Sequence, residues 1–213
     1  MNDPKETEKD IFFIGVTGGT GSGKTTFVNR LTKYFDPKEM SAIFQDAYYK
    51  DLSHLPESKR GEINFDHPDS FDRELMVHNI CRLKAGQVAQ APIYDFRTHT
   101  RSSRTRRIVP RPAMIVEGIL CYYYPDMRDL MDLKVYIDVP EEVRLVRRIY
   151  RDMKERSRSL QSITDQYLGT VLPMHKKYIE PLKEFADIIV TRGGENHQAL
   201  DLIATKIRAI IES

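Results

Sequence analysis

The segment Gly18-Gly19-Thr20-Gly21-Ser22-Gly23-Lys24-Thr25 constrains this chain more than any other feature. It fits the pattern G-x4-G-K-[ST]. Before it lies the apolar run Ile11-Phe12-Phe13-Ile14-Gly15-Val16, and after it Phe27, Val28 and Leu31 recur at helical spacing. A buried strand passing through a glycine turn into a helix (about 24–35) is the context this motif requires. Glycines let the backbone close around phosphate oxygens with no Cβ in the way. The loop N–H groups and the helix N-terminus present partial positive charge to a β-phosphate. Lys24 adds a full charge near the β/γ bridge, and the Thr25 hydroxyl is placed to hold Mg²⁺. Gly18 to Thr25, together with Thr26, are the expected nucleotide-binding residues.

The rest of the pattern predicts an α/β fold of the P-loop NTPase type. It is a mostly parallel sheet with helices on both faces, plus a β-hairpin appendage and a helical lid. Strands are expected at 41–44, 113–117, 133–139 and 186–190. Helices are expected at 71–83, 140–156, 163–179 (broken or kinked at Pro173) and 198–211, with Leu202, Ile203, Ile207 and Ile210 inward on the last. Pro140 suits the first helical position of the second of these. On that helix Val143, Val146, Ile149 and Met153 form an apolar stripe, while Arg144, Arg148 and Arg151 share another face. The hairpin is expected at about 91–109 with Arg101–Arg104 at its tip, and the lid at about 154–162. Residues 46–70 are irregular, and a loop of that length inside a compact domain is usually functional or mobile. One domain over 11–213 follows a disordered lead-in of 1–10.

Composition narrows the class. The net charge is only +2, with arginines clustered at 101–111 and 144–158, which suggests local anion sites more than a nucleic-acid footprint. No apolar stretch reaches the roughly 18 residues of a bilayer span, so no membrane partner is expected. Cys81 and Cys121 stand far apart in apolar settings and read as buried free thiols, with a cytoplasmic location.

A phosphate loop alone does not separate kinase, switch GTPase and motor ATPase. The guanine-reading N-K-x-D segment is absent, since no Asn-Lys pair occurs. Glu117, at the end of the strand Ala113–Glu117, would lie beside the loop and orient a Mg²⁺ water; alternatively it caps the next helix. Asp46 ends the second strand and projects from the carboxyl edge, where ligands collect. It could orient an acceptor hydroxyl toward the γ-phosphate and touch Mg²⁺, or it could cap a turn. In a loose phosphoryl-transfer transition state the hydroxyl loses its proton late, so orientation matters more than basicity.

The phosphate loop, QDAYYKD (45–51), NFDHPDSFD (64–72), PIYDFRTHTR (92–101), VEGIL (116–120), RRIYRDMKERSRS (147–159), QY (166–167) and ADIIVTRGGEN (186–196) occur in an order and spacing that resemble the uridine kinase family over nearly the whole chain. The resemblance implies transfer from Mg²⁺·ATP (or GTP) to the 5′-hydroxyl of uridine and cytidine, in pyrimidine salvage, by a homotetramer. It implies that Asp46 is the catalytic aspartate and that Asp66, with Arg148 nearby, holds the ribose hydroxyls. Tyr49, Phe65 and Tyr94 match aromatics lining the nucleoside pocket. His99 matches the histidine at the pyrimidine edge, and Arg158 and Gln166 match further base contacts. Arg151 and Arg156 match phosphate-contacting or lid arginines, catalytic alongside Lys24. Plain alternatives stand beside these: Tyr94 and Phe65 as core aromatics, His99 as a surface histidine, the arginine face as solvated. Arg101–Arg107 are expected to be solvated hairpin charge, with Arg101 the exception if there is one. Ser157 departs from the family, which usually has glycine there, and a serine disfavours positive φ. Phosphoribulokinases and pantothenate kinases lack the NFDHP and PIYDF…H combination. A nucleic-acid-stimulated NTPase and a regulatory module without turnover are the rivals from other classes.

Overall fold

Apolar side chains alternate along the central strands, and that alternation builds a core on each side of one sheet. The structure, a computed structural model, describes residues 10–212, so the expected lead-in lies outside the described residues except for Asp10. The chain runs β1 (Phe12–Thr17), α1 (Lys24–Leu31), β2 (Met40–Phe44), α2 (Glu57–Arg60), α3 (Arg73–Lys84), β3 (Ala89–Asp95) and β4 (Thr100–Ile108). It continues through β5 (Ala113–Glu117), α4 (Pro125–Asp129), β6 (Leu133–Asp138), α5 (Glu141–Arg156), α6 (Leu160–Gln166), α7 (Leu172–Met174), β7 (Ile188–Thr191) and α8 (His197–Glu212). The main sheet has the order β2-β5-β1-β6-β7, every pair parallel, and β3 and β4 form a separate antiparallel hairpin.

Phe13, Met114, Val116 and Tyr136 enter one core with Met76, Ile80 and Leu83 of α3 and Ala89, Ala91 and Ile108 of the hairpin. Ile14, Val16, Ile115, Val135 and Ile137 point the other way, against Phe27, Val28 and Leu31 of α1 and Leu200, Ile203 and Ile207 of α8. Burying each such side chain is worth about 1.5–3 kcal/mol. This two-sided burial makes a parallel sheet read as continuous apolar runs.

Several expectations change. The hairpin reverses at 96–99, so Arg101–Arg104 lie within β4 and not at the tip. The reversal is set by Asp95, whose Oδ1 accepts from the Arg97 N–H at 2.8 Å, and by His99 at φ 54°. Pro140 is the N-cap of α5 with extended backbone, not its first helical residue. The apolar stripe of α5 faces solvent: Val146 is 52% exposed and Met153 50%, and only Ile149 is half-buried. Arg144, Arg148 and Asp152 are buried instead, because the polar face of this helix has the cleft and the phosphate loop to pack against. On α8 the inward face is Leu200, Ile203, Ala204 and Ile207; Leu202 points outward and Ile210 is half-buried. Cys121 is buried and free, but Cys81 is free and exposed, off the inward face of α3. The break at Pro173 takes the form of two π-helical stretches, Tyr167–Val171 and His175–Ile179, flanking α7. A proline lacks the N–H that an α-helical ladder needs, and wider turns absorb the mismatch.

Candidate active site

Strand register brings the chemical groups together. Glu117 pairs in register with Val16 of β1 on one side and Phe44 of β2 on the other. The carboxylate ending β5 therefore stands between the chain entering the phosphate loop and the chain about to reach Asp46. Thr17 Oγ1 donates to the carbonyls of Gly118 and Ile119, both at 2.8 Å, and the Leu120 N–H donates to Gln45 Oε1 at 2.9 Å. These bonds lock the three strand ends to one another.

The loop itself closes tightly. Gly21 and Gly23 adopt φ 75° and 88°, and a Cβ at Gly21 would come 2.3 Å from the Arg144 carbonyl oxygen. At Gly19 the constraint is a neighbour: a Cβ there would come 2.2 Å from Arg144 Nη1. Lys24 is buried, with Nζ donating to the Gly19 carbonyl at 3.2 Å and lying 4.0 Å from Glu117 Oε1. Burial lowers its pKa, and Glu117 and Asp46 oppose that. Burial pushes the Glu117 carboxyl up; Lys24 partly offsets the shift, and Asp46 adds to it. Thr25 Oγ1 donates to Glu117 Oε1 at 3.5 Å.

A cleft of about 1000 Å³ opens over this cluster. Thr20, Gly21, Gly23, Lys24, Thr25, Thr26, Asp46 and Glu117 line one end. Tyr49, Phe65, Asp66, Tyr94 and His99 line it elsewhere, with Arg148, Arg151, Arg156, Arg158 and Gln166 along the α5–α6 side. Of the expected site residues, Gly18, Gly19 and Ser22 do not reach the cleft wall and instead form the underside of the loop.

The aromatic end is a box. Tyr49 meets Phe65 edge-on at 5.4 Å and stacks on Phe71 at 4.4 Å; Phe65 stacks on His99 at 4.5 Å. Two buried polar atoms in this box, Tyr94 OH and His99 Nδ1, have no hydrogen-bond partner. Buried polar groups are almost always satisfied, so water or a polar ligand is expected to meet them. Burial, followed by Arg156, Arg158 and Arg60, holds the His99 pKa below its usual value, keeping the imidazole neutral with one donor and one acceptor. Asp66 is also buried; burial raises its pKa, opposed first by Arg148. Arg148 Nη1 donates to Thr20 Oγ1 at 3.2 Å and Nη2 to Gln166 Oε1 at 2.8 Å, and Arg158 Nη1 donates to the same Gln166 oxygen.

The donor set suits a small hard cation. Two carboxylates, Asp46 and Glu117, and the Thr25 hydroxyl supply oxygen ligands at one end of the cleft. Mg²⁺ keeps several waters and takes one or two carboxylates plus phosphate oxygens, so this set fits it. Among the described residues no group of three or more His, Cys, Asp or Glu forms an all-protein cage.

The sequence reading missed several residues. Phe96, Arg97, Ile119, Arg147 and Glu155 also line the cleft. Gly193 and Gly194 back the phosphate loop, where a Cβ at Gly193 would come 2.3 Å from the Ser22 carbonyl oxygen. The adjacent glycines after the last strand were the available signal. Arg101 is the exception expected among the hairpin arginines: it is half-buried and bonded to the backbone carbonyls of Tyr48 and Tyr49.

The family model described as "Phosphoribulokinase / Uridine kinase family" matches residues 13–199. A uridine kinase of Streptococcus gordonii is 48% identical over 199 residues, covering 93% of this chain and 95% of that relative. One of Clostridium novyi is 46% identical over 198 residues, covering 93% and 95%. Phosphoribulokinase from Rhodobacter spheroides superposes with a TM-score of 0.66 at 14% identity, covering 86% of this chain and 70% of that one, which shows the shared fold. No helix of the described residues is long and apolar enough to cross a membrane. With a phosphate loop, a parallel sheet and a family match running through all of its central strands, this chain is a kinase and belongs to the phosphoribulokinase/uridine kinase family.

Proposed function

We propose that the chain transfers the γ-phosphoryl group of ATP to the 5′-hydroxyl of uridine and of cytidine. The observation that carries this reading is the aromatic box with its two unpartnered polar atoms, Tyr94 OH and His99 Nδ1, in the same cleft as Lys24, Asp46 and Glu117. A flat base fits between the rings, and a neutral imidazole with one donor and one acceptor serves the edge of either pyrimidine. Asp66 accepts from the ribose hydroxyls with Arg148 beside it. Asp46 orients the 5′-hydroxyl toward the γ-phosphate and accepts its proton late in transfer. Lys24, Arg151 and Arg156 offset charge on the phosphoryl oxygens. Glu117, Asp46 and Thr25 would hold Mg²⁺, which when bound would neutralise charge on the phosphates. The 154–162 segment closes over the cleft to exclude water. A role in pyrimidine salvage, a cytoplasmic location and a homotetramer belong to the same proposal, and sedimentation velocity tests the last.

The experiment is ADP release from Mg²⁺·ATP with uridine, cytidine, their 2′-deoxy forms, adenosine, ribulose 5-phosphate, pantothenate and single-stranded RNA as separate acceptors. Stimulation confined to pyrimidine ribonucleosides, with the monophosphate as product, is expected. Stimulation only by RNA or by another small acceptor would overturn the pocket assignment.

A further inference from the structure

Asp152 has no part in the chemistry above, yet it is more fully enclosed than either Glu117 or Asp66, with no exposed surface at all. It lies on α5 one turn beyond Arg148, and four guanidinium groups surround it. Arg151 Nε is 2.8 Å from Oδ1, Arg148 Nε 3.6 Å from Oδ2, Arg156 Nη1 3.7 Å from Oδ1 and Arg158 Nη1 3.8 Å from Oδ2. The Arg158 N–H also donates to the Asp152 carbonyl at 3.2 Å, which ties the start of the lid to the helix.

A buried carboxylate is a poor device for stability, because its desolvation can exceed what its partners return. Its placement points to another role. One carboxylate against four guanidiniums leaves positive charge in excess on the wall of a cleft that also holds Lys24. Of the four guanidiniums, only that of Arg151 is within hydrogen-bond distance of the Asp152 carboxylate. Arg148 Nε and Asp152 Oδ2 are both buried and both lack a hydrogen bond. Arg148 and Arg158 take their hydrogen bonds from Thr20, Gln166 and Ser162 and meet Asp152 through charge alone, so a ligand that engages Thr20 or Gln166 acts on guanidiniums that share one carboxylate.

Those arginines serve opposite ends of the cleft. Arg148 reaches Thr20 of the phosphate loop. Arg148 and Arg158 share Gln166 Oε1, and the Arg156 guanidinium lies 5.5 Å from the Phe96 ring centre at the aromatic end. We propose that Asp152 is a positioning residue that couples occupancy of the nucleoside pocket to the placement of the arginines at the phosphoryl-transfer end. This rests on the function proposed above. A base engaging Arg158 and Gln166 shifts the arms that share Asp152, and Arg148 and Arg151 settle toward the triphosphate. By linkage, nucleoside and triphosphate then bind cooperatively, each tightening the other by the same factor.

The test measures binding of a non-hydrolysable Mg²⁺·ATP analogue by calorimetry, with and without saturating uridine, in wild type and Asp152→Asn, alongside steady-state kinetics. Uridine is expected to tighten the analogue at least about 5-fold in wild type and not at all in Asp152→Asn. The kcat of the variant is expected to fall about 100-fold or more while its affinity for uridine without triphosphate stays within about 3-fold, a split that general loosening of the fold would not give. If Asp152→Asn does not fold, Asp152→Glu decides, since it keeps the charge but displaces the carboxylate by one methylene: reduced coupling supports the proposal, and wild-type coupling with wild-type kcat overturns it. Coupling retained in a folded Asp152→Asn overturns it as well. If uridine neither binds nor is phosphorylated by wild type, the proposed function itself fails; if it is phosphorylated and Asp152→Asn keeps the coupling, only the present inference does.

Discussion

Asp46 stands in the short 3₁₀ turn Gln45–Tyr48, two residues past the end of β2, and lines the cleft with Lys24 and Glu117. Asp46→Asn keeps the shape and removes the acceptor, so kcat should fall about 10²–10⁴-fold. Calorimetry should show nucleoside affinity nearly unchanged, and retained turnover would end the assignment. Asp66→Ala should weaken ribonucleosides far more than their 2′-deoxy analogues, because a site built around two hydroxyls loses its partner for both; equal losses in KM would remove Asp66 from the ribose. Ser157 is the C-cap of α5 in the left-handed region, at φ 52° and ψ 34°. A side chain there costs about 1–2 kcal/mol, and glycine returns most of that less its own chain entropy. Ser157→Gly should therefore stabilise the protein by about 0.5–1 kcal/mol in urea denaturation.

At the scale of elements, one side chain of the hairpin ties it to the turn that carries Asp46. Arg101 of β4 donates to the Tyr49 carbonyl at 2.8 Å, to Asp72 Oδ2 at 2.9 Å and to the Tyr48 carbonyl at 3.1 Å. Asp72 is the N-cap of α3, accepting from the Leu75 N–H at 3.1 Å. Arg101 thus joins β4, the turn that carries Asp46, and the start of α3. Arg101→Met should cost about 2–3 kcal/mol, because it strands two carbonyls and a carboxylate. Arg106→Met, at an exposed position of the same strand, should stay within about 0.5 kcal/mol. Equal urea midpoints for the two variants would show that the hairpin is held by its core contacts alone.

For the whole molecule, the buried ionisable groups set how stability follows pH. His175 lies in a π-helical stretch beneath the phosphate loop, where a Cβ at Gly19 would come 3.0 Å from its Cε1. Burial, aided by Arg144, Lys183 and Lys24, depresses its pKa to about 3. The unfolded chain therefore binds this proton before the folded one does. The stability this contributes is complete above about pH 6.5 and is lost as pH falls from there toward 3. Asp66 and Glu117, raised by burial, act in the opposite sense: their contribution is present below the ordinary carboxylate range and lost as pH rises through it. Comparing wild type with His175→Gln isolates the histidine. Between pH 7 and pH 4 wild type should lose about 3 kcal/mol more than the variant, and parallel losses in denaturant titrations would refute the assignment.

The local sequence determined whatever depends on local chemistry. Glycines at 18–23 followed by Lys24 and Thr25 dictated a phosphate loop, and period-2 and period-3.6 apolar patterns dictated the strands and helices. The bounds of β5 came out as expected because Ala113–Glu117 is buried throughout its length. The motif and the strand ends pointed to Lys24, Thr25, Asp46 and Glu117, the resemblance supplied the nucleoside-end residues and the arginines, and the fold gathers most of them into one cleft. What only the tertiary structure decided is which face of an element looks inward. On α5 hydrophobicity favours Val143 and Val146, but the arginine face packs on the phosphate loop and meets Thr20, Gln166 and the charge of Asp66, so the helix turns the other way. Arg101 could be named as the exception among the hairpin arginines, but its partners, Asp72 and the carbonyls of Tyr48 and Tyr49, lie in other elements and only the fold shows them. Asp152 differs: Arg148, Arg151 and Arg156 stand on its own helix at a spacing the sequence shows, and only its complete burial was hidden, since a charged residue in a sequence does not show whether the fold will leave it in water or enclose it.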